Sequence, residues 1–370
     1  MSSPAAPISI AHGWPDLQVV TIDAYNAELR DAEGFVGDRA SNRAFRAILD
    51  ETRERIRDAT DQDPLGDTPT EELPKKKMDK LLVEGEPEAA GVIHGAIEEF
   101  ATELSTVVAR FLKLKAWRDT ERIVVGGGLR ASRVGELAIG RTSVLLKEAG
   151  HKVDLVPVHN HPDEAGLLGA IHLAPAWMLE GHDAILAVDI GGSNLRAGLV
   201  ELRPWRAAKK GNEKHAERGG EIARGTVDEL DLWRYADEKT KPSRKEAVER
   251  IGEMLGRLIK KAGKNQVKLA PFVGVGCPGI IASDGRIERG GQNLPGNWES
   301  SRFNLPEELR GLIPKIDGHD TLVVLHNDAV VHGLSDLAYV QDVAHWGVLT
   351  IGTGLGNARF TNKQNDGPRK

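Results

Sequence analysis

The segment "DIGGSNLRAGLV", Asp189 to Val200, decides the fold of this chain. With the apolar run "HDAILAV" before it and "EL" after it, the segment reads as a strand, a glycine turn and a second strand, that is, a β-hairpin. In the turn, Gly191, Gly192 and Ser193 let the backbone pass close to a phosphate and aim N–H donors at it, because glycine has no Cβ in the way. Asp189 stands at the strand end, where a carboxylate suits a magnesium ion held through water. A tight hairpin with no ligand accounts for the same residues.

Working outward, "TIGTGLG" at Thr350 to Gly356 repeats the construction after another strand, and Thr353 adds a hydroxyl donor. Two such turns with an aspartate leading the first point to a nucleotide site in which the phosphates of ATP are gripped from both sides. A third glycine run, Gly126 to Gly128 in "IVVGGGLRASR", follows a strand but has no acid or hydroxyl beside it. Asn327 and Asp328 in "LHNDAVVHG" follow the apolar run "TLVVL", so Asp328 emerges where a buried strand gives way to a helix. It is either a helix cap, which aspartate serves well, or a base that takes a proton from an alcohol during phosphoryl transfer.

Along the rest of the chain, strands alternate with amphipathic helices, the pattern of an α/β protein. "DLQVVTID" (16–23) reads as a strand, 41–58 as a helix capped by Ser41 or Asn42, 59–80 as a polar surface loop, and 88–117 as one long helix. The strand "RIVVGGG", a helix through "LAIGRTSVLLKEAG", the strand "HKVDLVPV" and a helix "PDEAGLLGAIHLAPAWML" complete the first half. Further on, the basic stretch Arg203 to Arg218 reads as a solvated hairpin tip, 243–262 as a helix, "APFVGVGCPGII" as a strand and "TNKQNDGPRK" as a frayed tail.

Composition narrows the choice of class. The 370 residues suffice for two domains with a core each. With 49 basic and 55 acidic residues, the net charge of −6 offers no field for nucleic acid or an anionic membrane. The single cysteine, Cys277, excludes an intrachain disulfide and a multi-thiolate zinc site, in keeping with a reducing, cytoplasmic compartment. No secretory signal or membrane-spanning apolar run is expected. His159 and His161 read as loop residues rather than a metal pair, and Cys277 as a small filler at a tight turn. Trp298 either lines a sugar or packs its own turn.

Five segments together resemble ROK (repressor, open reading frame, kinase) sugar kinases of the actin-like ATPase superfamily. They are "DIGGSNLRAGLV", "VGVGCPGIIASDGRIERGGQNLPGNW", "LHNDAVVHG", "TIGTGLGNARF" and "IVVGGGL". The resemblance implies an α/β, two-lobed, ribonuclease-H-like fold with mixed sheets flanked by helices. It implies ATP and Mg²⁺ as cofactors and phosphoryl transfer to a hexose or related sugar, as in a glucokinase or hexokinase. Asp189, Gly191, Gly192 and Ser193 match the first phosphate segment, and Gly352, Thr353 and Gly354 the second. Gly126, Gly127 and Gly128 match the segment that passes adenosine. Asp328 matches the catalytic base, and Asn293 and Asn327 match sugar-binding asparagines.

The family's segments occur here in rotated order, cut after the second phosphate turn, so the chain reads as a circular permutant whose former ends join through "PAWMLEGHDA". That reading requires "DLQVVTID" to share a sheet with "GVLTIGTGLGNARF". It divides the chain into a larger lobe, 1–160 plus 330–370, and a smaller lobe, 161–329. The family's "GEIGH" segment aligns with residues 15–19, which puts Asp16 at the sugar-binding glutamate and Val19 at the histidine. The cysteine-rich loop that follows in the family has no cysteine here, so no zinc site is expected. The expected partner is a sugar, with no nucleic acid or membrane, and a homodimer is compatible with the family. The alternative is a sensor that binds sugar or nucleotide without turnover.

Overall fold

A computed structural model describes residues 11–32, 34–203 and 223–363, and shows a mixed α/β protein built on two five-stranded sheets. The first has the order Leu322–Asn327, Leu269–Cys277, Ala184–Ile190, Leu195–Arg203, Arg224–Trp233. Its first three strands are parallel, and the last two fold back antiparallel as hairpins. All seven residues of Ala184–Ile190 are buried, as an apolar run in the middle of a covered sheet should be. Helix Arg244–Lys264 lays Ala247, Val248, Ile251, Leu255 and Leu258 into that sheet's core. Ser243 and Glu246 start it with a reciprocal capping box, and Lys261 and Lys264 sit near its carbonyl end, where cations are favourable.

The second sheet has the order Val20–Tyr25, Leu355–Asn362, His345–Ile351, Arg122–Gly126, Asp154–Pro157. Arg122–Gly126 runs parallel to both its neighbours. The strand within "DLQVVTID" lies in one sheet with those of "GVLTIGTGLGNARF". Helices Asn42–Thr60, Pro87–Phe111 and Arg133–Glu148 supply the apolar layer around Phe45, Phe100, Phe111 and Trp117. Ser41 caps the first of them by accepting from the Ala44 amide at 3.2 Å.

Three expectations change. The polar stretch 59–80 is not all loop, for Lys75–Glu84 is a helix that buries Met78 and Leu82, one turn apart, beneath its lysines. The long helix stops at Phe111, with a short 3₁₀ turn at Lys115–Trp117. The closing helix 162–179 breaks into Pro162–Gly169, a 3₁₀ turn and Ala176–Leu179, because Pro175 has no amide to continue it. Strand Leu195–Arg203 takes in the first residue of the basic stretch, and Thr361 and Asn362 close strand Leu355–Asn362. Residues 204–218 and 364–370, read as a hairpin tip and a tail, lie outside the described residues.

The loop that remains, 61–73, wraps a buried arginine. Arg53 has no exposed surface, and donates from Nε to Asp63 at 3.0 Å, from Nη1 to the Thr70 hydroxyl at 2.7 Å, and from Nη2 to the Gly66 and Thr68 carbonyls at 2.8 Å each. A charge this deep is tolerable because its donors meet a carboxylate, a hydroxyl and backbone oxygens.

The chain divides into two compact units, one of Met1–Asn26, Glu164–Asp342 and Thr361–Lys370, the other of Ala27–Asp163 and Val343–Phe360. Unlike the lobes drawn from the sequence, the segment before Asn26 groups with 164–342. The Gly13 amide donates to the Leu325 carbonyl at 2.9 Å, and the Leu325 amide donates to His12 Nδ1 at 3.1 Å. Lys363 joins the same unit through the Val19 carbonyl (3.1 Å) and Asp16 (2.6 Å).

Candidate active site

In the first unit, three parallel strands end side by side, at Asp189–Ile190, Gly276–Cys277 and His326–Asn327. Clefts of α/β sheets open at such carboxyl ends, and two aspartates stand at these. Asp189 lies opposite Arg196 in the hairpin ladder, and Arg196 Nη1 reaches its Oδ2 at 3.1 Å, with only 13% and 11% of the two side chains exposed. The ladder brings the pair together because a turn of four residues, 191–194, separates the strands.

Asp328 opens the helix Asp328–Leu334 directly after the strand that ends at Asn327. It keeps part of its surface accessible, yet burial, and then the negative charge of Asp189, push its pKa up to about 7; the Ala329 amide, 2.9 Å from Oδ1, pulls the other way. One turn on, His332 is held neutral by burial, which lowers its pKa to about 4, and its Nε2 is buried without a hydrogen-bond partner. Cys277 is fully buried, and burial together with Asp328 and Asp189 raises its thiol well above the ordinary range, which suits a filler and not a nucleophile.

The first glycine turn is braced from beneath. Tyr235 donates its hydroxyl to the Gly191 carbonyl, and the Ala236 amide donates to the Ser193 carbonyl at 3.2 Å. A Cβ on Gly191 would come no nearer than 3.5 Å to protein, an ordinary contact. Protein packing therefore does not demand glycine here.

The remaining site residues on this unit have mixed settings. Asn293 is exposed in the loop before Trp298. Asn327 is buried, with Oδ1 accepting from the Ala329 and Val330 amides and Nδ2 donating to the Gly279 carbonyl at 3.0 Å, so it serves as a helix cap. Asp16 is exposed, and its hydrogen bond to Lys363 holds its carboxyl below the usual range. Trp298 packs its own turn, since it is 1% exposed and bonds the Pro295 carbonyl at 2.7 Å.

In the second unit, the turn Gly352–Gly354 is tied down through its carbonyls, which accept from the Asn42 amide (3.0 Å) and from Arg43 Nε (3.2 Å). A Cβ on Gly354 would meet nothing within 4 Å, and one on Gly352 only the Gly354 carbonyl at 3.9 Å. Gly127 is different. It has φ +82°, and a Cβ there would lie 2.6 Å from the Ile351 backbone, so packing alone requires glycine. Lys75 donates to the Gly128 carbonyl, beside the Asn42 side chain. Among the described residues, no three His, Cys, Asp or Glu side chains gather as a metal cluster.

Sequence reading missed Arg196, His332 and Tyr235, though the hairpin pairing of Asp189 with Arg196 follows from the turn length. The helix carrying Gly166 was legible, but not its contact with the Asp189 carboxylate, which depends on packing between distant segments.

No family model matches the sequence, and no curated protein matches it. Among solved structures, a Cytophaga hutchinsonii protein provisionally assigned as a sugar kinase is similar at 21% identity and a TM-score of 0.34. The ROK hexokinase from Thermus thermophilus is similar at 20% and 0.32. The Lmo2764 protein from Listeria monocytogenes, provisionally assigned as an N-acetylmannosamine kinase, is similar at 23% and 0.30. Each likeness covers 50% of this chain and 50% of the other, so the chain spans about half the length of these neighbours. No helix among the described residues is long and apolar enough to cross a membrane.

Proposed function

We propose that this chain is a sugar kinase that transfers the γ-phosphoryl group of ATP to a hydroxyl of a hexose or related sugar. The observation that carries this reading is the pair of carboxylates at the ends of the two strands that flank Leu269–Cys277, one tied to Arg196 and the other pushed up to about 7. A base poised near neutral pH is suited to take the proton of an alcohol.

In the proposed reaction the sugar oxygen attacks the γ-phosphorus, the bond from phosphorus to the leaving ADP oxygen breaks, and the hydroxyl proton passes to Asp328. The backbones at Gly191, Gly192 and Ser193 and at Gly352, Thr353 and Gly354 are assigned to phosphate contacts, Gly126 to Gly128 to the adenosine, and Asn293, Asn327 and Asp16 to the sugar. A magnesium ion takes one or two carboxylates and completes its shell with phosphate oxygens and water, and Asp189, at a strand end beside the first turn, fits that requirement. When bound, such an ion neutralises charge on the phosphates.

We also read the chain as a two-lobed circular permutant of a ribonuclease-H-like kinase. The shared sheet of Val20–Tyr25 and His345–Ile351 supports that order. The engagement of Asp16 by Lys363 favours a second reading, a sensor that binds sugar without turnover.

The test is ADP release from ATP, Mg²⁺ and a panel of sugars. Turnover on at least one sugar is expected, with Asp328→Asn inactive but folded. Sugar binding without turnover would favour the sensor, and neither binding nor turnover would refute both.

A further inference from the structure

Helix Pro162–Gly169 precedes the first phosphate turn by some twenty residues, and at Gly166 it packs against the Asp189 side chain. A Cβ built on Gly166 would lie 2.5 Å from Asp189 Cγ and 2.7 Å from Oδ1, closer than real Cβ atoms approach. On the other side, Arg196 holds Oδ2 at 3.1 Å. The carboxylate is thus gripped on both oxygens, one by shape and one by charge, and Asp189 itself is only 8% exposed.

We propose that Gly166 and Arg196 are positioning residues that fix the orientation in which Asp189 meets a divalent cation on the donor phosphates. The proposal rests on the kinase reading of Asp189 and adds to it the two groups that set its geometry. The clash at Gly166 is chiefly with the carboxylate and not with backbone, the Asp189 Cβ lying at a tight 3.0 Å. Alanine at this position can therefore be accommodated by swinging the carboxylate away from Arg196, with the fold intact. Gly169, three residues on, shows the contrast, since a Cβ there would sit 1.7 Å from the Val331 carbonyl, and no side-chain rotation relieves that. A cross-strand Arg–Asp contact restricts the carboxylate through geometry as well as charge, so lysine replaces arginine only in part.

The experiment measures Mn²⁺ binding by electron paramagnetic resonance on the full chain with ADP present, and ADP binding without metal by calorimetry. Parent, Asp189→Asn, Gly166→Ala, Arg196→Gln and Arg196→Lys are compared, with thermal unfolding as the check on folding. The expected result is that Gly166→Ala and Arg196→Gln unfold near the parent temperature but need at least tenfold more Mn²⁺ for half-saturation. Arg196→Lys should fall between them and the parent, and Gly166→Ala should add nothing in the Asp189→Asn background.

If Asp189→Asn loses Mn²⁺ while Gly166→Ala and Arg196→Gln keep it, the positioning role is wrong and the role of Asp189 stands. Should Asp189→Asn bind Mn²⁺ like the parent, the reading of Asp189 fails and the proposal with it. An Arg196→Gln loss of ADP affinity of equal size without metal would make Arg196 a direct phosphate contact and overturn its positioning role. Should Gly166→Ala not fold, side-chain rotation does not relieve the clash, its part of the proposal is refuted, and the Arg196 variants still decide theirs.

Discussion

Burial holds the Asp328 proton up to about pH 7, whereas the group ordinarily ionises near 3.8. Between those values the folded chain binds a proton that the unfolded chain has released. The resulting stability is present below the unfolded value and is lost as pH rises through about 7. Asp328→Asn removes this dependence. Urea unfolding should find the variant equal to the parent near pH 4 and more stable by on the order of 2 kcal/mol at pH 8. A gap that shrinks as pH rises would contradict the burial assigned to this carboxyl. The glycines divide at the same scale. Gly127, at φ +82° and ψ −179°, holds a conformation almost reserved for glycine, so Gly127→Ala should destabilise by on the order of 3 kcal/mol. Gly354→Ala, with open space around the new methyl group, should stay within about 0.5 kcal/mol of the parent. Equal losses in the two variants would show that the open turn also needs glycine for folding.

Among the elements, loop 61–73 depends on one side chain. Arg53→Met keeps much of the volume but leaves Asp63, whose side chain is 7% exposed, without its main partner, and strands the oxygens of Gly66, Thr68 and Thr70. The expected loss is on the order of 3 kcal/mol, with new proteolytic cleavage confined to 61–73. An uncut loop would mean that the Arg46 contacts to Thr70 and Leu73 suffice to hold it. None of this was legible in the sequence, where Arg53 sits on an amphipathic helix and its acceptors lie 10–17 residues away in a stretch that reads as solvated. Helix Lys75–Glu84 was hidden for a related reason, since the four lysines mask an apolar face made chiefly of Met78 and Leu82. The hairpin at Asp189, the Ser41 cap, the helix from Ser243 and the strand that delivers Asp328 were legible, because each follows from local periodicity or a capping residue. Gly166 and Arg196 belong to the site through packing and register, which periodicity does not report.

For the molecule as a whole, the proposed permutation makes a topological prediction. Lys363 and Asp16 are in contact, and the Lys363 amide reaches Val19, so both described ends of the chain meet in one unit. The turn at Glu180–Asp183 is exposed at Glu180, Gly181 and Asp183. A chain that begins at Asp183, runs to Lys363, continues through a glycine linker to Ala11 and ends at Gly181 should therefore fold. Circular dichroism and thermal unfolding close to the parent's are expected, and an aggregated or molten product would refute the permuted reading.

The two sheets also differ in when they can exist. The five strands of the first lie between Ala184 and Asn327 and follow one another along the chain, so all are available once that stretch has left the ribosome. The second has its middle strand, His345–Ile351, more than 200 residues after Arg122–Gly126, its parallel neighbour. During synthesis the helices of that second layer are therefore made early and must wait, with apolar faces uncovered, until the stretch to Asn362 has been made. Chaperone demand and damage from premature termination fall on this half of the protein.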